Sequence, residues 1–279
     1  MSGKILVLGA TGTVGTPLVA QLLAAGETVR VASRNATPVP GAETVRVDLA
    51  DPSTLAPAFE GVDRAFVLLP TGHLDIEGSL GAVIAAAAAR RVKVVLMSVF
   101  GVDADDSNPY RRGEIALERS GTPFVILRPN WFADNFHSFW LAGIRQGVIA
   151  VPAAEGRTSF IDVRDIAASA AAALRSDIFD GRAFNLTGPQ ALGYADAAAI
   201  LSAASGQAIR YLPVDDAAFI ATLTGAGMPA DYAGFLASIF HPVREGWTAA
   251  VTGDVQTLTG TAPRSLATYA ADHAALFRG

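Results

Sequence analysis

The sequence contains no cysteine. That excludes disulfides, thiolate zinc sites, iron–sulfur clusters and cysteine nucleophiles at once, and it fits a reducing compartment. Histidine is scarce too: His73, His137, His241 and His273 lie far apart, no two at the helical spacing of paired metal ligands, so no metal site is expected. Charged residues make up only 17%, the net charge is −5, and the basic residues are scattered. No electrostatic footprint for nucleic acid follows from such a pattern. Long apolar runs are missing as well. The longest small-apolar stretch, Gly81–Ala89, is ended by Arg90 and Arg91 and is too short to cross a bilayer. Only Met1–Gly3 precede Lys4, without a leader pattern. A soluble cytoplasmic protein with no membrane partner is the expectation.

What is present is apolar: 51% of the 279 residues are hydrophobic, as in a core-rich folded chain. Short β-rich runs alternate with helical segments. Ile5–Leu8, Thr28–Ala32, Thr44–Val47, Arg64–Leu69, Val92–Met97 and Pro123–Leu127 read as strands. Thr16–Ala25, Ser79–Arg90 and Arg111–Arg119 read as helices between them. The continuous apolar character of Val92–Met97 suits a strand covered on both faces. This alternation predicts an α/β fold with a doubly wound parallel Rossmann sheet over residues 1–130. After Pro129 the pattern loosens. Strands are expected at Thr158–Ile161 and Arg182–Leu186, and helices at Tyr194–Ala204, Asp215–Ala226, Asp231–Phe240 and Ser265–Phe277. A smaller, mostly helical substrate-binding lobe over 131–279 fits, with later segments able to return to the first sheet.

The segment Gly9-Ala10-Thr11-Gly12-Thr13-Val14-Gly15 follows a strand and opens a helix. In that context Gly9 permits a tight turn, Gly12 lets the backbone approach a pyrophosphate, and Gly15 lets helix and strand pack closely. The helix start then offers free N–H groups and a partial positive charge to phosphates. A turn that only serves packing is the plainer alternative. The end of the second strand bears on which dinucleotide is bound. Where an acid would hold the ribose 2′-hydroxyl of NAD, this chain has Ser33-Arg34-Asn35. Arg34 can instead make charge-assisted bonds to a 2′-phosphate, so NADP(H) is the expected cofactor. Asp48 and Leu49 are expected to flank the adenine, although Asp48 could equally cap the next helix. Leu69-Pro70-Thr71, at the end of the fourth strand, are expected beside the nicotinamide ribose, since ligands sit outside the carboxyl ends of such strands.

With these residues in hand, the chain resembles the NmrA-like group of atypical short-chain dehydrogenases/reductases over nearly its whole length. The resemblance rests on the glycine turn, on Ser33-Arg34-Asn35, and on a block from Tyr110 through Glu114 to Ser120-Gly121. It continues through Ile126-Leu127-Arg128-Pro129-Asn130-Trp131-Phe132, Asn135, Thr158–Asp165 and Leu186-Thr187-Gly188-Pro189. It is strongest to the branch with NADPH-dependent quinone reductases and ergot-alkaloid-type iminium reductases. The resemblance implies an NADP(H)-binding Rossmann fold. It also implies either a reductase or a redox-sensing regulator that binds the dinucleotide, and a protein partner, without turnover. Ser98 and Pro129, ending the fifth and sixth strands, join the expected cofactor-binding residues. Tyr110, Asn130, Trp131 and Phe132 are the expected substrate pocket.

The departures are specific. Ordinary members of the wider superfamily use Tyr-x-x-x-Lys, in which lysine lowers the tyrosine pKa. Here Glu114 stands four residues after Tyr110, and a nearby carboxylate raises a tyrosine pKa. Tyr110 and Ser98 are the catalytic candidates, but a hydroxyl that satisfies local backbone accounts for Ser98 equally well. Trp131, Phe132, Phe136, Phe139 and Trp140 crowd one segment and could line an apolar pocket, or simply fill a core. Asp162 with Asp165, and Tyr194 with Asp196, look like helix starts; Asp105-Asp106 looks like a solvated loop. The expected reaction is hydride transfer from NADPH to a small electron-poor substrate: a quinone, an iminium or a conjugated enone. A non-catalytic NADP(H) sensor, and an isomerase or cyclase that retains the dinucleotide site, are the alternatives.

Overall fold

Strands β1–β6 span Lys4–Leu8, Val29–Ser33, Glu43–Arg46, Val62–Val67, Lys93–Met97 and Phe124–Pro129. Strands β7–β11 span Val148–Val151, Arg157–Thr158, Arg182–Leu186, Leu192–Gly193 and Arg210–Pro213. Helices α1–α6 span Gly15–Ala24, Leu55–Ala58, Ile76–Ala88, Pro109–Glu118, Leu141–Arg145 and Val163–Arg175. Helices α7–α12 span Tyr194–Ser205, Asp216–Gly225, Ala230–Ser238, His241–Arg244, Asp254–Thr259 and Leu266–Asp272. The structure is a computed structural model and describes residues 3–70 and 72–278.

The chain divides into two compact units. The first runs to Pro129 and takes back Val163–Leu186 and Asp254–Thr261. Its sheet is wholly parallel, in the order β3-β2-β1-β4-β5-β6-β9. The central strands β1, β5 and β6 are nearly continuous apolar runs because both faces are covered: Ile5, Leu6, Val7, Val94, Val95, Val125 and Ile126 are fully buried. The edge strand β3, by contrast, has no buried residue. Helix α6 lies against α1, and β9 extends the sheet beside β6. The sheet therefore draws on residues well past 130. Strand order reverses between β1 and β4, so the loops after these strands diverge and open a crevice at the carboxyl edge. This is the Rossmann arrangement.

The second unit comprises Asn130–Asp162, Thr187–Gly253 and the stretch from Ala262 onward. It holds two small sheets, β7 parallel to β11 and β8 antiparallel to β10. Its core gathers Phe136, Phe160, Tyr194, Leu201, Phe240 and Tyr269. Some boundaries differ from expectation. The strand expected at Thr158–Ile161 is reduced to Arg157–Thr158, and Ile161 makes only an isolated bridge to Phe132. The helix expected over Asp231–Phe240 ends at Ser238, and α10 starts afresh with Pro242 in its first turn. The last helix stops at Asp272 and tightens into a 3-10 turn over Ala274–Phe277. Among the described residues no helix is long and apolar enough to cross a membrane.

Candidate functional site: a glycine turn at the carboxyl edge of the sheet

Strand β1 delivers the chain into Gly9, whose φ of +68° lies in the left-handed region that favours glycine. A side chain there would also strike Leu68, with Cβ 2.8 Å from Leu68 Cδ1, so the end of β4 lies directly against the turn. The Gly12 N–H donates to Gly9 O at 3.0 Å, and Thr16 N–H donates to Gly12 O at 3.0 Å. Gly15 is the tightest position: a Cβ would stand 2.1 Å from Gly9 O and 2.7 Å from Ala10 Cα. Helix α1 starts here with Val14 ahead of it and no side-chain cap. Thr11, Gly12 and Thr13 are exposed, and the backbone N–H groups of Thr13, Val14 and Gly15 have no partner among the described residues. The turn thus presents uncapped donors at the positive end of a helix. Val14 contributes only through its backbone, since its side chain is buried.

At the end of β2, Ser33 Oγ accepts from Thr37 N–H at 3.0 Å, and Ala36 takes a positive φ of 46°. This turn leaves Arg34 and Asn35 exposed, and the Arg34 guanidinium has no ion pair or hydrogen bond among the described residues. A groove of about 350 Å³ runs between Thr11, Thr16 and Val19 on one side and residues 37–40 on the other. Asp48 accepts from Arg46 at 3.0 Å and from Ala50 N–H at 3.2 Å. It does not cap the helical turn that follows; Asp51 does, accepting from Ser53 N–H. Leu49 packs half-buried against the core of the sheet. Leu69 is buried and Pro70 exposed, with Pro70 O accepting from His73 N–H at 3.1 Å; Thr71 lies outside the described residues.

Beyond β5 lies a buried charged cluster that the sequence spacing does not reveal. Glu114 on α4 is fully buried, and its carboxylate is gripped by Arg128 through Nε at 2.9 Å and Nη2 at 2.7 Å. Arg111 adds a third donor at 3.0 Å, and Arg128 also reaches Asp103 at 2.6 Å. Burial raises the Glu114 pKa. The bonds from Arg128 and Arg111, with the Ser98 hydroxyl nearby, outweigh it, and the carboxyl is held below its ordinary value. Ser98 is buried; its N–H donates to Leu127 O at 2.8 Å, while its Oγ lacks a partner within hydrogen-bonding geometry. Tyr110 sits half-buried in the first turn of α4, whose cap Asn108 accepts the Tyr110 N–H at 2.9 Å. Burial alone pushes the Tyr110 phenol up. Pro129 is buried, and its carbonyl accepts from Phe100 N–H.

In the second unit, Asn130 is buried, and both its amide donors are used, on Ser159 Oγ and Thr248 O at 2.8 Å each. Its Oδ1 accepts from Trp131 N–H. Trp131 and Phe132 are half-buried, and Trp131 stacks on Trp140 with ring centres 6.0 Å apart and lies 4.8 Å from Phe240. Phe136 is core, whereas Phe139 is 63% exposed.

A sheet with this strand order, carrying a glycine-rich turn into an uncapped helix, defines a dinucleotide-binding α/β protein. The chain belongs to the NmrA-like family, whose model matches residues 1–250. It is 34% identical to an NAD(P)H azoreductase of Xenophilus azovorans, over 98% of this chain and 99% of that protein. It is 35% identical to a (4-alkanoyl-5-oxo-2,5-dihydrofuran-3-yl)methyl phosphate reductase of Streptomyces griseus, over 98% and 99%. Among solved structures, an NADPH-dependent quinone oxidoreductase of Escherichia coli in complex with NADPH superposes with a TM-score of 0.85 at 24% identity, covering 96% of this chain and 99% of that one.

Proposed function

We propose that this chain is an NADPH-dependent reductase that delivers hydride to a small electron-poor acceptor such as a quinone, an iminium or a conjugated enone. The observation that carries this reading is the pairing of the uncapped glycine turn with an unpartnered Arg34 at the end of β2. The N–H groups of Thr13, Val14 and Gly15 suit a pyrophosphate, and Arg34 suits a 2′-phosphate, with Ser33 and Asn35 beside it. Asp48 and Leu49 follow β3, Leu69 and Pro70 follow β4, Ser98 follows β5 and Pro129 ends β6. We assign these positions to the rest of the dinucleotide because ligands lie outside the carboxyl ends of such strands. Relatives along nearly the full length carry reductase names, which supports turnover over sensing.

When bound, NADPH supplies the hydride; the chain's residues must hold the acceptor against it and exclude water. No lysine follows Tyr110, and Glu114 is ionised and engaged by two arginines, so neither activates the phenol. Tyr110 on α4 then serves in shape and not in proton transfer. In the second unit, Trp131 and Phe132 offer apolar surface for a planar acceptor, with Asn130 Oδ1 bracing the Trp131 N–H. Such a site suits acceptors that take hydride without prior protonation. The test combines titration of both dinucleotides with an acceptor screen that follows NADPH oxidation. Tighter NADPH binding and turnover with at least one acceptor class is the expected result. NADPH binding with no turnover on any of them would contradict the proposal and favour a sensor.

A further inference from the structure

Resting on that reading, a second question is where the proton comes from when the acceptor is neutral. Hydride addition to a quinone gives a hydroquinone anion, and its oxygen must take one proton. The groups around Tyr110 are poor donors: burial pushes the phenol up, and Glu114 is an ion held by arginines. Three of the four histidines, His137, His241 and His273, belong to the second unit. His73 belongs to the first, in the loop after β4, at the point where strand order reverses. The chain of contacts to the glycine turn is short. Leu68 lies against Gly9, and Pro70 O accepts from His73 N–H.

The imidazole is held from one side only. His73 Nε2 lies 3.1 Å from Asp75 O and 2.7 Å from Ser79 Oγ. A carbonyl oxygen can only accept, so Nε2 carries the hydrogen in the neutral ring, and Nδ1 is left with its lone pair. Nδ1 has no partner among the described residues, and the ring is half-buried, not free in solvent. Asp75 is occupied as the cap of α3, accepting from Gly78 N–H at 3.0 Å, and Glu77 is paired with Arg112 of α4. These neighbours explain an ordered ring but leave Nδ1 without a structural task.

We propose that His73 is the proton donor to neutral acceptors. The Nδ1–H bond of the imidazolium breaks, a new O–H bond forms on the reduced acceptor, and the neutral imidazole is recharged by a proton from water. Two electrons reach the acceptor with the hydride, so the balance needs no further reductant. A cationic iminium becomes a neutral amine on taking hydride alone and makes no such demand.

The test compares 1,4-naphthoquinone with an N-methylated cyclic iminium, in the unmodified protein and in His73→Gln. Glutamine can still donate to Asp75 O but cannot pass a proton. The ratio of kcat on quinone to kcat on iminium should fall by roughly 10²-fold or more in the variant. His73→Ala should shift the ratio in the same sense, and NADPH titration should report both variants folded. Independently of turnover, diethylpyrocarbonate should modify His73, and NADP+ with the quinone should protect it. An unchanged ratio, or modification unaffected by those ligands, overturns the role of His73 alone. Absence of turnover in the unmodified protein on both acceptors overturns this proposal together with the reductase reading.

Discussion

Arg34 and the three glycines separate what can be changed from what cannot. Loss of one charged contact costs on the order of 1.5–3 kcal/mol. Arg34→Ala should therefore weaken NADPH binding by roughly 10- to 100-fold and leave NADH binding little altered, as fluorescence titration of both would register. Equal losses for the two would show that Arg34 does not meet the 2′-phosphate. The glycines are unequal. At Gly12 a Cβ would have Gly9 O at 3.3 Å as its nearest neighbour, on an exposed stretch, so Gly12→Val should fold and melt near normally yet lose the dinucleotide. At Gly15 the obstruction is backbone at 2.1 Å, which cannot swing aside. Gly15→Ala should lower stability by about 1–3 kcal/mol or more, visible as a depressed Tm. The turn geometry of Gly9, Gly12 and Gly15 was legible from sequence because it depends on neighbours in the chain. The partner of Glu114 was not. Arg128 lies 14 residues away on β6, and only the packing of α4 on the sheet brings the two together.

At the scale of elements, the Glu114–Arg128 pair fastens α4, and Tyr110 with it, to the end of β6. Removing one member of a buried pair strands the other charge, at a cost of about 3–5 kcal/mol. Glu114→Gln should lose stability of that order in denaturant unfolding at neutral pH; a loss below about 1 kcal/mol would mean that the pair is dispensable. The pH dependence has a fixed sign. The folded carboxyl is held below its ordinary value of 4.5, so its contribution is complete above that value and fades as pH falls through the folded one. The gap between unmodified protein and Glu114→Gln should therefore narrow on acidification below about pH 4.5. Strands β1, β5 and β6 were readable as apolar runs bounded by turn residues, whereas β3, Glu43–Arg46, has no buried residue and was readable only from its place in the strand–helix alternation. Strands β7 and β11 were not: they are four-residue edges that pair only with each other. Helix α5, five residues long, carried too little periodicity to be seen.

For the whole molecule, alternation of strand and helix was enough to give a parallel, doubly wound sheet, since few other folds bury both faces of such strands. The order in which the chain visits its two units was much harder to read. Residues 163–186 rejoin the sheet as α6 and β9, and Asp254 anchors the backbone of β9 by accepting from Asn185 N–H at 2.7 Å. Those contacts join segments some 70 residues apart, beyond the reach of local patterning. The reductase reading depends on the glycine turn and Arg34 serving one ligand. Its most direct test is initial-rate oxidation of NADPH and of NADH, at equal concentration, with a quinone supplied. The account predicts steady oxidation with kcat/KM for NADPH about tenfold or more above that for NADH, corresponding to about 1.4 kcal/mol from the 2′-phosphate contact. Equal rates with both dinucleotides, or bound NADPH that no quinone, iminium or enone can oxidise, would contradict it.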